Sequence, residues 1–132
     1  MTHLKEGDKA PQFEFTDHKG EHRSMESFKG KKVILYFYPR DNTPGCTAEA
    51  CNLRDNYQDL QGKGFEVIGV SADSEKSHDK FRSNYELPFH LISDTEKRIL
   101  EDYGVWGEKK MLGRTYMGIH RITFIIDENG LI

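Results

Sequence analysis

Long apolar runs are absent from this sequence, and their absence argues against a membrane-spanning helix. No stretch approaches the roughly 20 apolar residues that such a helix requires. Residues 1–8 also lack the apolar core of a signal peptide. The chain has 132 residues, of which 36% are hydrophobic and 31% charged. This composition predicts a single domain over residues 1–132, with no membrane as partner.

Cysteine is scarce, with only Cys46 and Cys51 in the chain. Two cysteines are too few for a disulfide-stabilised scaffold, so we expect a reducing environment and a cytoplasmic location. An excess of positive charge is also missing, because the net charge is −3 and no basic stripe is interleaved with aromatic residues. Nucleic acid is therefore not an expected partner. No segment indicates a dedicated subunit interface, and we expect a monomer.

The sequence does contain an alternation of strand and helix patterns. A short hairpin is predicted for residues 13–15 and 22–24, followed by a one-turn helix over residues 24–30. Apolar, β-rich runs predict strands over residues 33–38, 65–71, 89–92 and 120–126. Helices are predicted over residues 44–62, 74–85 and 94–103, and a loop over residues 107–118. This order predicts an α/β fold with a central mixed sheet flanked by helices, whose last strand is an antiparallel edge.

The most informative segment is residues 39–51, which holds both cysteines. Thr43 is a suitable N-cap and Pro44 suits the first helical position, so Cys46 falls in the first turn of a helix. The unpaired N–H groups and the dipole of a helix favour a thiolate at this position. The apolar stripe of the helix consists of Cys46, Ala50, Leu53, Tyr57 and Leu60. It predicts that Cys46 points inward at the carboxyl edge of the sheet.

Cys51 follows Cys46 by five residues, a spacing that constrains any disulfide between them. Helix geometry separates the two Cα atoms by roughly 8.6 Å, beyond the limit of about 7 Å for a disulfide. The first turns of the helix must therefore unwind before the two sulfurs can bond. The alternative is that both cysteines are small buried hydrophobic residues. A zinc site is poorly supported, because no second pair of ligands accompanies the cysteines.

The segment from Tyr38 to Cys51 closely resembles the active-site segment of peroxiredoxins, in particular the bacterioferritin comigratory protein (Q-type) subfamily. In that subfamily a resolving cysteine follows the peroxidatic cysteine by five residues. The resemblance extends over nearly the whole chain. Further segments that resemble the family are residues 7–13, 70–73, 91–94 and 118–127. The resemblance implies a thioredoxin-like fold and a thiol-dependent peroxidase that needs no metal, haem, flavin or selenium.

The resemblance also implies a set of site residues. Cys46 would be the peroxidatic nucleophile and Cys51 the resolving thiol, with Pro39, Thr43 and Arg121 completing the pocket. Arginine supplies donors that stay protonated, and the threonine hydroxyl can bond peroxide oxygens, while the proline shields the site from water. Supporting residues are expected at Pro44, Gly45 and Glu49. Glu49 either orients Arg121 or is a solvated carboxylate on the helix face.

The resemblance further implies hydrogen peroxide and small organic hydroperoxides as substrates and a thioredoxin-like or glutaredoxin-like reductant. Two alternatives remain, namely a peroxide sensor or holdase and a general thiol–disulfide oxidoreductase. The lack of a Cys-x-x-Cys motif argues against the second. Only Leu131 and Ile132 follow the turn signal at residues 127–130. We therefore expect a C-terminal strand and helix of the family to be missing, with a cost in stability.

Overall fold

A four-stranded mixed sheet forms the centre of the computed structural model, which describes residues 2–132. In spatial order its strands are β5 (His90–Ser93), β4 (Phe65–Ser71), β3 (Lys32–Phe37) and β8 (Ile122–Ile126). The first three are parallel to one another, and β8 pairs antiparallel with β3 at the edge. The α/β class and the antiparallel edge strand predicted from the sequence are thus confirmed.

Two small antiparallel hairpins and five short helical segments surround this sheet. The hairpins are β1 (Glu14–Thr16) with β2 (His22–Ser24), and β6 (Trp106–Met111) with β7 (Arg114–Ile119). The α-helices are α1 (Pro44–Asp55), α2 (Tyr57–Gly62), α3 (Glu75–Tyr85) and α4 (Arg98–Asp102). A 3₁₀ turn covers Met25–Phe28. None of the helices in residues 2–132 is long and apolar enough to cross a bilayer.

Strand β3 separates two apolar clusters because its alternate side chains point to opposite faces. Val33, Leu35 and Phe37 lie in the cluster formed with the N-terminal segment and α4. Tyr36 and Tyr38 lie in the other cluster, which is covered by α1, α2 and α3. The residues of β3 after Lys32 are all buried, as the continuous apolar run predicts. Helix α1 is therefore held against the face that carries the two tyrosines.

The helix predicted over residues 44–62 is interrupted at Asn56, which separates α1 from α2. The Asn56 side-chain amide donates to the carbonyl oxygen of Asn52 at 2.9 Å, where it competes with the helical backbone. The predicted apolar stripe nevertheless continues across the break. Its members all belong to or pack against one cluster: Cys46, Ala50, Leu53, Tyr57 and Leu60.

The prediction of a loop over residues 107–118 is wrong, because these residues form most of the β6–β7 hairpin. Leu112 and Gly113 form its two-residue turn, with φ values of +52° and +79°. Positive φ at both positions is the pattern of a type I′ turn, which joins strands of native twist. Leucine is an unusual residue in such a turn, and both strands are largely exposed. Neither the turn signal nor an alternation of apolar residues was therefore present in the sequence.

The helix predicted over residues 94–103 is shorter than expected, since α4 begins at Arg98. Lys97 has a φ of +63°, which is incompatible with a continuing helix. The Asp94 carboxylate accepts a hydrogen bond from the Leu100 N–H at 2.8 Å across this turn. At the other end of the chain, Leu131 forms an isolated antiparallel bridge with Lys9. The last residues thus pair with the N-terminal segment.

Gly69 in β4 is required by the close approach of a tyrosine ring. A Cβ atom at this position would lie 2.7 Å from Cζ of Tyr36 on the neighbouring strand. Because both residues are at the centre of the sheet, we expect Gly69→Ala to lower the free energy of unfolding by about 1–3 kcal/mol. Urea denaturation measures this change.

Gly62→Ala is the matched control for this substitution. Gly62 lies in α2, and no atom lies within 4 Å of an added Cβ. Alanine is the better helix former, so we expect an unchanged or slightly higher free energy of unfolding. Equal destabilisation by the two substitutions would contradict a specific requirement for glycine beneath Tyr36.

Candidate active site

The site lies at the carboxyl end of β3, where three segments meet. Phe37 at the end of β3 pairs with Ile122 at the start of β8, and α1 begins at Pro44 after a six-residue connection. Arg121 immediately precedes β8. The antiparallel pairing of β8 with β3 therefore brings Arg121 to the first turn of α1. The carboxyl edge of parallel strands is the usual location of sites in α/β folds.

Cys46 is 1% exposed and lies against the face of the sheet that carries the tyrosines, as the stripe predicts. Arg121 Nη2 donates to Cys46 Sγ at 3.1 Å, although the two residues are 75 positions apart. The first α1 backbone bond runs from Thr47 N–H to Thr43 C=O at 2.8 Å. The N–H groups of Gly45 and Cys46 precede that bond and have no helical acceptor. Both the Arg121 guanidinium and the start of α1 therefore place positive charge near the sulfur.

Glu49 binds the second terminal nitrogen of the Arg121 guanidinium. Its Oε1 accepts from Arg121 Nη1 at 2.7 Å, and the Glu49 side chain is 25% exposed. Burial raises the pKa of Glu49 above its ordinary value, in spite of the opposing charge of Arg121. Burial alone would lower the pKa of Arg121, but the hydrogen bond to Cys46 and the charges of Cys46 and Glu49 raise it. Arg121 thus bridges two residues one helical turn apart. Of the two expectations for Glu49, the geometry favours the one in which it orients the arginine.

Thr43 occupies the N-cap position that the sequence predicts. Its hydroxyl, however, accepts no hydrogen bond from the backbone of α1. The Oγ1 atom instead donates to the Arg40 carbonyl oxygen at 3.0 Å, so its lone pairs remain free to accept. Pro39 is partly buried at the start of the same connection, and Pro44 is the first residue of α1. Gly45 lies beside the arginine, since an added Cβ would be 3.5 Å from Arg121 Nη2. Pro44 and Gly45 are thus the first two residues of the helical turn that carries Cys46.

Cys51 lies on the same continuous helix as Cys46 and is half-buried. Both cysteines are free thiols. With both residues helical, their Cα atoms are separated by roughly 8.6 Å, which is too far for a disulfide.

The structure contains a buried polar cluster that the sequence analysis did not predict. Asp41, Asp73 and His78 place their polar atoms within 4.8 Å of one another. This is a geometry that a metal ion can use, but each of these side chains already has hydrogen-bond partners within the protein. His78 and Phe81 are the two buried residues of α3, a helix that is otherwise mostly polar. The partner of His78, Asp41, lies 37 positions away, so no local pattern in the sequence indicated the cluster.

The profile of the AhpC/TSA family matches residues 6–132. The chain is also 46% identical over 132 residues to peroxiredoxin Bcp of Escherichia coli K12, which covers all of this chain and 85% of that protein. The chain belongs to the AhpC/TSA family and is a peroxiredoxin. Peroxiredoxin Bcp of Bacillus subtilis is 46% identical over 124 residues, which are 94% of this chain and 79% of the relative.

Solved structures give the same result for the fold of this peroxiredoxin. The Xanthomonas campestris bacterioferritin comigratory protein superimposes with a TM-score of 0.85 at 32% identity, over 91% of this chain and 76% of that chain. A cysteine-to-serine variant of Xylella fastidiosa PrxQ gives a TM-score of 0.92 at 29% identity, over 100% and 84% of the two chains. The resemblance and the thioredoxin-like fold predicted from the sequence are confirmed, and the peroxiredoxin is a thiol-dependent peroxidase.

Glu49→Gln tests the contribution of the carboxylate that holds Arg121. Glutamine can still accept from Nη1 but without charge, and a charge-assisted bond is roughly twice as strong as a neutral one. Near neutral pH we expect the second-order rate constant for peroxide reduction to fall about three- to tenfold. Because the pKa of Glu49 is raised, the wild-type carboxylate is lost early on acidification. The difference between the two proteins should therefore shrink as the pH falls.

Stopped-flow measurement of peroxide consumption across the acidic range follows both effects. Glu101→Gln is the matched control, because Glu101 is an exposed glutamate of α4 on the opposite side of the sheet. It should leave the rate constant unchanged. A constant ratio between wild type and Glu49→Gln at every pH would contradict an ionised Glu49 acting on Arg121.

Proposed function

We propose that Cys46 is the nucleophile of this peroxidase and that Cys51 resolves the oxidised intermediate. The Cys46 thiolate attacks one peroxide oxygen, the O–O bond breaks, and the departing oxygen takes a proton and leaves as water or an alcohol. Cys46 becomes a sulfenic acid. The Cys51 thiol then displaces its hydroxyl, so that a disulfide forms and water leaves.

The observation that carries this proposal is the 3.1 Å contact between Arg121 Nη2 and Cys46 Sγ in a buried first helical turn. A thiolate is a good nucleophile, but the barrier lies in polarising the O–O bond and stabilising the leaving oxygen. Fixed donors aimed at the developing charge supply this stabilisation. Arg121 and the free N–H groups at the start of α1 are suitable donors, while the Thr43 hydroxyl, whose proton is bonded to Arg40, can accept a hydrogen bond from the peroxide.

The resolution step requires α1 to unwind at its N-terminal end. Cys46 and Cys51 are both helical in this structure, and the helical separation is too long for a disulfide. The Arg121 contacts to Cys46 and Glu49 must also break when the first turns unwind. The same arginine fork therefore favours peroxide attack and opposes resolution.

Recycling of the enzyme by a thioredoxin-like or glutaredoxin-like dithiol completes the proposed cycle. Hydrogen peroxide and small organic hydroperoxides are the proposed substrates. The proposal places the protein in the cytoplasm, because two free cysteines suit a reducing compartment. It also includes a monomeric state, because no segment of the sequence indicates a dedicated subunit interface.

Addition of one equivalent of hydrogen peroxide to the reduced protein tests the proposal. We expect the intact mass to fall by two hydrogens, with peptide mapping that locates a bridge between Cys46 and Cys51. Far-UV circular dichroism should lose helical signal in the same reaction. An unchanged mass would contradict both role assignments, and a mapped bridge without loss of helical signal would contradict the unwinding step.

Cys51→Ser is the matched variant for the resolving role. It should consume one equivalent of peroxide, stop as a sulfenic acid at Cys46 and be open to further oxidation. Dimedone labelling followed by mass spectrometry detects that species. Multiple turnovers by Cys51→Ser at the wild-type rate, with thioredoxin and thioredoxin reductase as the reductant, would contradict a resolving role. Wild-type protein that oxidises once and is not recycled by any dithiol would instead indicate a peroxide sensor.

A further inference from the structure

The connection between β3 and α1 has an irregular backbone and carries residues of the site at both ends. Pro39 lies at its start and Thr43 at its end, and Cys46 follows three residues later. Asn42, the last residue of the connection but one, has a φ of +63°, a left-handed conformation that is uncommon for residues other than glycine. Such a conformation persists only where the surrounding structure holds it. Of the two residues next to Asn42, Asp41 is the one whose side chain is hydrogen-bonded to another element of the fold.

Asp41 is 5% exposed and is bonded through its backbone and through both carboxylate oxygens. Its N–H donates to Asp73 Oδ2 at 2.9 Å. Its Oδ1 accepts from the Tyr38 hydroxyl at 2.6 Å. Its Oδ2 faces His78 Nδ1 at 2.7 Å and accepts from the Ser77 hydroxyl at 2.8 Å. Asp41 is therefore bonded to Tyr38, the first residue after β3, to the segment after β4 and to the first turn of α3.

His78 is the buried partner that links Asp41 to the sheet. It is 2% exposed, and its Nε2 lies 3.0 Å from the carbonyl oxygen of Ile92 in β5. A carbonyl oxygen only accepts, so Nε2 carries a proton, and Nδ1 faces the carboxylate of Asp41. Both nitrogens therefore donate, and the pair is a buried ion pair. Burial opposes the charge of Asp41, but the bonds from His78 and Tyr38 hold its pKa below the ordinary value, so the carboxylate stays ionised.

This ion pair makes no hydrogen bond to Cys46, Thr43 or Arg121 and has no direct part in the chemistry. A buried ion pair also contributes little to stability compared with apolar residues of similar volume. Its specific effect is geometric, because Oδ1, Oδ2 and N–H of one residue fix the position of the connection in three directions. The anchored residue lies five positions before Cys46 and just ahead of the turns that must unwind.

We propose that the Asp41–His78 pair is a positioning device that holds the start of α1 against Arg121. With the pair intact, the chain before α1 is fixed, and Cys46 stays in contact with the arginine while peroxide reacts. Without it, the first turns of α1 separate from Arg121 more readily. Peroxide attack then becomes slower and the Cys46–Cys51 disulfide forms faster. This inference rests on the proposed roles of Cys46 and Cys51.

Two rate constants of Asp41→Asn and His78→Gln, measured separately by stopped-flow fluorescence or rapid-quench mass spectrometry, test the proposal. The rate constant for oxidation of Cys46 should fall about ten- to a hundredfold, as expected when a reacting group is misplaced. The rate constant for disulfide formation should rise, so that less peroxide-dependent overoxidation of Cys46 is observed. Because the two residues act as one unit, the double variant should be no worse than the poorer single variant.

A variant of matched thermal stability separates this role from simple destabilisation. Ile99→Ala is suitable, because Ile99 is buried in the apolar cluster on the opposite face of the sheet, and its truncation costs about as much stability as the loss of one partner of a buried ion pair. This variant should leave the ratio of the two rate constants unchanged, although its Tm falls as much as that of Asp41→Asn or His78→Gln. An unchanged ratio in Asp41→Asn and His78→Gln would overturn the positioning role. If the wild-type protein formed no Cys46–Cys51 disulfide, the proposed function itself would fail, and these two results are distinct.

Discussion

Replacement of Cys46 by serine is expected to abolish peroxide reduction. Serine preserves the size of the side chain and can still accept a hydrogen bond from Arg121 Nη2, which lies 3.1 Å from the sulfur. A serine hydroxyl stays protonated at neutral pH, and no general base contacts this position among the described residues. The rate should therefore fall by about 10⁴-fold or more, to the uncatalysed level.

Peroxide consumption with dithiothreitol as reductant measures this loss without assuming a physiological partner. Cys51→Ser is the internal comparison, because it removes the other thiol and should still reduce peroxide, since dithiothreitol can reduce the Cys46 sulfenic acid directly. Far-UV circular dichroism of the reduced proteins establishes that both variants are folded. Sustained turnover by Cys46→Ser would show that the nucleophile has been assigned to the wrong residue.

The second large effect is expected from Arg121, whose substitution should slow peroxide attack about 10²- to 10³-fold. Its planar fork reaches Cys46 through Nη2 and Glu49 through Nη1 at the same time. Methionine retains much of the apolar stem but no donor. Lysine retains the charge, but its compact ammonium group lacks the planar fork that bridges Cys46 and Glu49. We therefore expect Arg121→Met and Arg121→Lys both to be impaired, with lysine the less severe.

Stopped-flow rate constants for the oxidation of Cys46 check this prediction at a fixed pH. Arg114→Lys is the matched control, since Arg114 is an exposed arginine of β7 and should be replaceable without effect. A small change in thermal stability is expected, because the ion pair with Glu49 is partly solvent-exposed. A wild-type rate constant for Arg121→Lys would mean that only a positive charge is needed near the sulfur.

Much of the fold could be predicted because its signals are local. The buried run of β3 and the strand at residues 65–71 follow from continuous apolar, β-rich sequence. The helix α3 begins directly after Ser74, whose side chain accepts from the Ser77 N–H at 3.1 Å. The errors occurred where a local pattern was overridden. Asn56 interrupts a helix whose apolar stripe continues, and Leu112 adopts a turn conformation for which its residue type gives no indication.

Some features of the candidate site could likewise be predicted from local sequence, and others could not. The position of Cys46 in a first helical turn, and the need to unwind the helix before Cys51 can reach it, follow from spacing and helix geometry. The contact of Arg121 with that turn could not be predicted from local sequence, since Arg121 and Cys46 are 75 positions apart. The sequence indicated the arginine only through its resemblance to a family.

The sequence by itself determined the reactive segment, the α/β class and the family, because capping residues, apolar periodicity and the Cys46–Cys51 spacing act over a few positions. Only the tertiary structure decided how Arg121, Glu49 and Cys46 meet, because that depends on the antiparallel pairing of β8 with β3. It also decided that His78 lies buried against Asp41, 37 positions away. Local patterns carry no information on which distant polar groups become partners, since that choice is made when the apolar faces pack and buried polar atoms must find hydrogen bonds.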